Sequence, residues 1–134
     1  MAVILGGNDT LPQIALTESQ TFVPPQDGTV MIHVIGAGGG GMGSGEISYK
    51  NGGGAGGYCR KNALAVTTAG SFTVVIGAGA TGSTNDGAGG NGGNSTVAGT
   101  GLSATLTANG GTGATTSDNT GAGGGASNGD VNNT

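Results

Sequence analysis

The sequence predicts an all-β fold, in which short antiparallel strands form a β-sandwich or jelly-roll-like unit with long glycine-rich loops. Short apolar runs that suit strands recur along the chain and lead into glycine, as residues 30–35 do before Gly36. Glycine supplies 34 of the 134 residues, a density that α-helices do not tolerate. The polar residues are mostly Thr, Ser and Asn, which suit strands and turns.

The composition predicts a thin core. Val, Ile, Leu and Phe make up about 17% of the chain, below the level of about 20% at which independent folding becomes doubtful. Disorder usually combines that deficit with high charge, but only 7% of the residues are charged and the net charge is −4. We therefore expect a small β core that copies of the chain complete.

Glycine loops of this length have two physical interpretations. Ordering glycine costs more backbone entropy than ordering any other residue, so the loops are either flexible or packed where only glycine fits. Stacked extended helices of the polyglycine II type are the packed case. The glycines follow no strict three-residue period, so collagen itself is excluded, and the sequence leaves the flexible and the packed interpretation open.

The N-terminal residues 1–19 are predicted to form an arm or docking strand. Residues 2–5 are apolar and a turn signal follows them, and a short strand is expected around Pro12. Residues 2–5 suit either docking on a neighbouring subunit or the first strand of the same domain.

Residues 20–108 are predicted to form the glycine-rich β domain. A strand at residues 20–23 ends at Pro24, and a turn leads into the best core strand, in which alternate residues share one face. Further strands are expected at 58–67 and 72–76, and the short spacing between them indicates antiparallel neighbours. Val30, Ile32 and Val34 are predicted to share one face of the core strand, and both of its faces are fairly apolar, which suggests a central strand covered on both sides. In the strand at 72–76, Phe72, Val74 and Ile76 are predicted to point one way.

The end of the chain gives weaker signals. Residues 102–108 alternate between apolar and polar side chains, which predicts a half-buried strand. Residues 109–134 read as a low-complexity Gly/Thr/Asn tail, either a flexible end or the start of something longer.

Two glycine segments match the G-x-G-x-x-G pattern of dinucleotide-binding folds, at residues 36–41 and 77–82. That pattern needs a helix after it, whose N–H groups bind the phosphates. Glycine is too dense in the residues that follow for a helix, and no acidic residue lies about 20 positions on to hold a ribose. A nucleotide site is therefore not expected.

Other catalytic or metal chemistry has little support. Residues 89–96 approach the calcium-binding nonapeptide, but Asn94 stands where the ligand Asp belongs and the motif occurs once. Cys59 is the only cysteine and His33 the only histidine, and His33 lies in a strand pattern where a packed or half-exposed role is expected. We expect no enzyme activity, no metal site and no cofactor.

The charge balance limits the partners. With Lys50, Arg60 and Lys61 as the only basic residues, nucleic-acid binding is not expected. No apolar run is long enough for membrane insertion, and the N-terminus has no basic region of the signal-peptide type. A chain with such extracellular-looking loops can leave its cell by lysis, as a virion does.

The order of motifs resembles the glycine-rich domain of bacteriophage tail-fibre and adhesin proteins. The resemblance covers roughly residues 20–100 and leaves the C-terminal 25 residues without a usable motif. The segments that carry it, in order, are Thr21-Phe22-Val23-Pro24, residues 30–41, Gly52-Gly53-Gly54-Ala55-Gly56-Gly57-Tyr58, the turn at 66–70, residues 72–79 and Gly92-Gly93-Asn94-Ser95-Thr96-Val97.

The resemblance implies a non-enzymatic virion protein on the surface of the particle, a homotrimer or higher oligomer that contacts other virion proteins. It also implies host-surface attachment through loops, with a host glycan as a possible receptor, and it leaves a tail or a head location open. Aromatic faces and amides suit sugars, and the candidate receptor contacts are Tyr49, Lys50, Asn51, Tyr58, Asn85, Asp86 and Asn91.

Two other interpretations remain open at this point. The chain is alternatively a self-assembling extracellular fibril or surface-layer subunit, in which residues 2–5 or the tail dock on the next copy. It also suits an ice-binding or matrix-type polyglycine bundle, which would present flat Thr/Asn faces and bind no host.

Overall fold

The computed structural model describes residues 3–5, 13–43, 50–115 and 120–133. Within these ranges the chain is all-β, as predicted, and no helix could span a membrane. The ten strands are β1 (Val3–Leu5), β2 (Ile14–Leu16), β3 (Gln20–Phe22), β4 (Gly28–Ile35), β5 (Tyr58–Val66), β6 (Phe72–Val75), β7 (Ser95–Gly99), β8 (Leu106–Ala108), β9 (Ala126–Ser127) and β10 (Val131–Asn132).

The strands form two five-stranded sheets that are antiparallel throughout. The first sheet has the order β10-β5-β4-β1-β2, and the second has the order β3-β6-β7-β8-β9. The prediction that the strands at 58–67 and 72–76 are antiparallel neighbours is wrong, because β5 and β6 lie in different sheets. β5 pairs antiparallel with β4, and β6 pairs antiparallel with β7. At both edges the chain changes sheet between neighbouring elements, from β2 to β3 and from β9 to β10.

The core lies between the two sheets. β4 is the central strand of its sheet, as predicted, but only one of its faces is fully buried, and the other is half-buried. In β4 Val30, Ile32 and Val34 are all buried, and in β6 Phe72 and Val74 are buried, with Ile76 packed against the same cluster. Phe72 pairs across the strands with Gly99, whose missing side chain leaves room for the ring. The sandwich therefore buries one face of each sheet, as a period of two residues requires.

The two ends of the chain are part of this sandwich. β1 lies between β2 and β4 in the first sheet, and Val3 is fully buried there. At the other end β9 pairs with β8, and β10 pairs with β5. Residues 120–133 thus contribute a strand to each sheet.

The predicted strand over residues 102–108 is shorter than expected. Only Leu106–Ala108 pairs, as β8, while Ala104 is exposed. A turn at Thr100 and Gly101, where Gly101 has a φ of 84°, reverses the chain after β7. The alternation of apolar and polar residues at 102–105 therefore lies in the connection between β7 and β8 and not in a paired strand.

Cys59 is expected to be unreactive while the chain is folded. The thiol is fully buried in the core, and burial raises the pKa of Cys59. The Cys59 thiol also donates to the Thr107 carbonyl oxygen at 3.7 Å, which lowers the pKa by less than burial raises it. Since the thiolate is the nucleophile, a disulfide reagent should label Cys59 only on unfolding. Labelling of the native protein at the rate seen in urea would contradict this burial.

Candidate functional site

Three strand hairpins carry all of the long glycine segments. Each hairpin, β4–β5, β6–β7 and β8–β9, extends beyond its strands as two glycine segments that run out from the sandwich and back. We name these six segments PG1 (36–43), PG2 (51–57), PG3 (77–83), PG4 (87–94), PG5 (109–115) and PG6 (120–125).

The hydrogen bonds of these segments repeat every three residues. The N–H groups of Gly36, Gly39 and Met42 in PG1 donate to the carbonyls of residues 57, 54 and 51 in PG2, at 2.8, 2.8 and 2.9 Å. The intervening Ala37 and Gly40 donate instead to PG4. A threefold repeat with all bonds between segments is that of a polyglycine II helix, so the glycine segments are packed helices.

The partners place the six helices in two rows of three. Hydrogen bonds join PG3, PG1 and PG2 in the first row and PG4, PG5 and PG6 in the second. Between the rows, PG1 bonds PG4 and PG5, for example through Gly111 N–H to the Ala37 carbonyl at 2.8 Å. PG2 bonds PG5 and PG6, and PG3 bonds PG4. The rows thus form a two-layered bundle that continues from one end of the sandwich.

Glycine is required only where helices face each other. A Cβ on Gly54 would overlap the carbonyl of Ala122, and one on Gly89 would overlap the carbonyl of Gly40. By contrast, nothing lies within 4 Å of a Cβ built on Gly52 or Gly79. Interior glycines let the helices approach within hydrogen-bonding distance, and outward positions accept any residue.

The two outer faces of the bundle differ. On the second row, the outward N–H groups of Gly110 and Gly113 each donate to an asparagine Oδ1, of Asn94 and Asn91 respectively, at 2.9 Å. The equivalent donors on the middle helix of the first row belong to Gly38 and Gly41. These two N–H groups donate to no residue that the structure describes. Among the described residues, side chains therefore cap the second-row face, while the first-row face presents the backbone N–H groups of Gly38 and Gly41 without such caps.

Asn91→Ala and Asn94→Ala are each expected to lower the free energy of unfolding by about 1 kcal/mol, the value of one neutral hydrogen bond. Urea unfolding should show this against Asn85→Ala, a matched control whose side chain is exposed. Equal stability of all three variants would show that these amide oxygens do not support the bundle.

We name Lys50 and residues 84–86 the tip of the bundle, since they lie at the far ends of PG2, PG3 and PG4. The Nζ of Lys50, before PG2, lies 3.1 Å from Asp86 Oδ1, between PG3 and PG4. Asp86 has a φ of 38°, and Asn85 beside it is exposed. An ion pair this exposed adds at most about 1 kcal/mol, but it joins the start of PG2 to the connection between PG3 and PG4.

The predicted contact residues fall into two groups. Lys50, Asn51, Asn85 and Asp86 come together at or next to the tip, although 36 positions separate Lys50 from Asp86. Tyr49 lies outside the described residues. The remaining candidates, Tyr58 and Asn91, lie elsewhere.

Tyr58 begins β5 at the base of the bundle, where its hydroxyl is 2.8 Å from His33 Nδ1. Asn91 lies within PG4, where it caps Gly113. A role of these residues in receptor binding stays a prediction.

The two nucleotide-type matches lie in PG1 and PG3. No α-helix follows either of them within the described residues, and four N–H groups of residues 36–40 donate to carbonyls of neighbouring helices. Asn94, in the calcium-like segment, accepts from Gly110 N–H. Among the described residues no three His, Cys, Asp or Glu side chains are grouped as metal ligands would be.

Sequence reasoning missed the asparagine caps, although a signal existed. Asn91 and Asn94 stand three residues apart, which is one turn of a polyglycine helix, and their partners Gly113 and Gly110 are also three apart. This spacing identifies one face of PG4.

Comparison with curated proteins and with solved structures gives no match. The family model of a glycine-rich domain matches residues 15–134, which include both sheets from β2 onward and all six glycine helices. The chain therefore belongs to the glycine-rich domain family.

Proposed function

We propose that this chain is a non-enzymatic, exposed attachment or decoration component of a bacteriophage particle, which contacts the host surface through the tip of the glycine bundle. The tip is the observation that carries the proposal, because Lys50 and Asp86 from two separate hairpins meet there, with Asn85 exposed beside them. The order of glycine motifs that resembles phage adhesins supports the virion setting.

The bundle suits the presentation of variable turns. Its helices are held by backbone hydrogen bonds, and the tip residues Lys50, Asn85 and Asp86 take no part in the hydrophobic core. Lys50, Asn85 and Asp86 offer a cation, an amide and a carboxylate at one end, and these groups recognise hydroxyl-rich glycans through hydrogen bonds. Many weak copies on one particle would raise avidity without a deep pocket.

A binding assay on bacterial cells tests this proposal. The chain, biotinylated and displayed on streptavidin beads, is expected to bind a subset of a panel of bacterial strains. Asn85→Ala with Asp86→Ala should reduce the bound fraction at least tenfold. The matched control Thr73→Ala with Thr96→Ala, on the second sheet, should bind as the wild type does. Equal binding by both double variants, or no binding to any strain, would contradict the proposal.

A self-assembling fibril or surface-layer subunit is the second candidate. The first-row face favours it, because outward backbone donors such as Gly38 N–H could form hydrogen bonds with the glycine helices of a second copy. Such bonds would be of the same kind as those between the two rows. Light scattering should then show an oligomer, and Gly79→Asn should dissociate it while Ser103→Asn, in an exposed connection, should not. A monomer at all concentrations would exclude this assembly.

A further inference from the structure

Arg60 is the one basic residue of the described chain that has no anionic partner in contact. Lys50 pairs with Asp86, and Lys61 pairs with Asp130 at 2.7 Å. The Arg60 guanidinium forms no ion pair or side-chain hydrogen bond with any described residue. Its Nε is also shielded from water, which leaves a buried N–H without an acceptor. The two Nη groups are not shielded in this way, so they are the donors that an acceptor from outside can reach.

The strand register gives Arg60 defined neighbours on the outer face of the first sheet. In β5 the side chain of Cys59 enters the core, so those of Tyr58 and Arg60 lie on the opposite face. Arg60 stands opposite His33 of β4 on one side and opposite Val131 of β10 on the other. The guanidinium therefore lies on a sheet surface, where backbone pairing fixes the positions around it.

Tyr58 and His33 form a fixed pair beside Arg60. The Tyr58 hydroxyl is 2.8 Å from His33 Nδ1, and the ring centroids are 5.9 Å apart. Burial and, next, the charge of Arg60 lower the pKa of His33, which keeps the imidazole neutral at neutral pH. When the hydroxyl donates to Nδ1, the other ring nitrogen carries the hydrogen and is a second donor on this face.

We propose that Arg60, together with the Tyr58–His33 pair, is a binding site for a carboxylate on the outer face of the first sheet. The planar guanidinium matches a carboxylate with two parallel hydrogen bonds. A single cation in a chain of net charge −4 does not suit a polyanion. Ile4, opposite His33, and the half-buried Met31 are apolar, so a carboxylate on a partly apolar ligand such as an acidic sugar fits best.

Asp130 is the described carboxylate near Arg60, and its hydrogen bonds to Lys61 and Asn62, followed by the charges of Lys61 and Arg60, lower its pKa. Asp130 forms its ion pair with Lys61 and not with Arg60. The carboxylate of Asp130 binds Lys61 Nζ and the backbone N–H of Asn62, both at 2.7 Å. On the β1 side, Val3–Leu5 carries no titratable side chain. The site is separate from the bundle tip and does not depend on the function proposed for the tip.

The single histidine makes the test direct. His33 ring signals are followed by NMR while the whole chain is titrated with sodium acetate or sodium glucuronate, and with sodium chloride at equal ionic strength as the reference. Both carboxylates should give a saturable shift and raise the pKa of His33, because the bound anion offsets the charge of Arg60. Tighter binding of glucuronate than of acetate would indicate that the sugar ring packs against the apolar side chains of Ile4 and Met31.

Arg60→Gln should weaken acetate and glucuronate binding by about tenfold or more. The matched control Lys61→Arg keeps a cation beside Asp130 and should leave binding unchanged. If Arg60→Gln fails to fold, Arg60→Lys is the second variant. It keeps the positive charge but lacks the planar guanidinium with its two parallel donors, so it should bind both carboxylates several-fold more weakly than the wild type. The proposal is overturned if the carboxylates shift His33 no more than chloride does, or if the folded Arg60 variant titrates as the wild type.

Discussion

Gly54→Ala should lower the free energy of unfolding by about 3 kcal/mol or more, the upper range for an overpacked interior. A Cβ on Gly54 would overlap the Ala122 carbonyl of PG6, which is backbone and cannot rotate away. The same residue donates to Thr112 and accepts from Gly39, at 2.9 and 2.8 Å. Separating PG2 from its neighbours would therefore strain three helices at once.

Gly52→Ala is the matched control for this substitution. It lies in the same helix two residues earlier, and nothing is within 4 Å of its Cβ position. Alanine at this position lowers the conformational entropy of the unfolded chain. The free energy of unfolding should therefore stay the same or rise by up to about 1 kcal/mol. Chemical denaturation of the two variants gives the comparison, and equal loss of stability would show that the glycine helices do not pack as described.

Phe72→Ala should destabilise the sandwich by about 3–5 kcal/mol, as for a buried aromatic side chain. Phe72 is 1% exposed, stands opposite Phe22 in β3, and lies over Gly99 in β7. Gly99 has no side chain that could fill the space left by the ring, so a cavity would remain. In a domain with so few large apolar residues, this loss is a large share of the total stability.

Val75→Ala, in the same strand, provides the control for Phe72→Ala. Its side chain is 42% exposed on the opposite face of the sheet. We expect a change of less than about 0.5 kcal/mol in the unfolding free energy, measured in the same denaturant series. A similar loss for both variants would mean that the space between the two sheets is not the core.

The strands were predictable from sequence because their side chains alternate over a buried face. Val30, Ile32 and Val34 show the period of two that a half-buried strand imposes, and all three are buried. The connection from Thr100 to Thr105 was not predictable, since its alternation continues that of β8. The glycine at position 101 was the local sequence signal of a turn there, and in the structure it has a positive φ.

The arrangement of the glycine helices could not be predicted from sequence. Packing requires glycine only at inward positions such as Gly39, while outward positions such as Gly38 and Gly41 also carry glycine. The three-residue period is thus visible in the hydrogen bonds between the helices, but it is not visible in the positions of glycine along the sequence. The tip was equally hidden, because Lys50 and Asp86 meet only when two different hairpins lie side by side.

The three-residue repeat of the bundle also determines how its length can vary. Removing or adding three residues in each helix keeps every inward glycine inward, and changes the height of the tip above the sandwich by roughly 9 Å, at about 3.1 Å per residue. A change of one or two residues would turn the inward glycines of that helix toward solvent. The sandwich and the turns at the tip can therefore diversify independently, while the shaft between them lengthens or shortens only in whole turns.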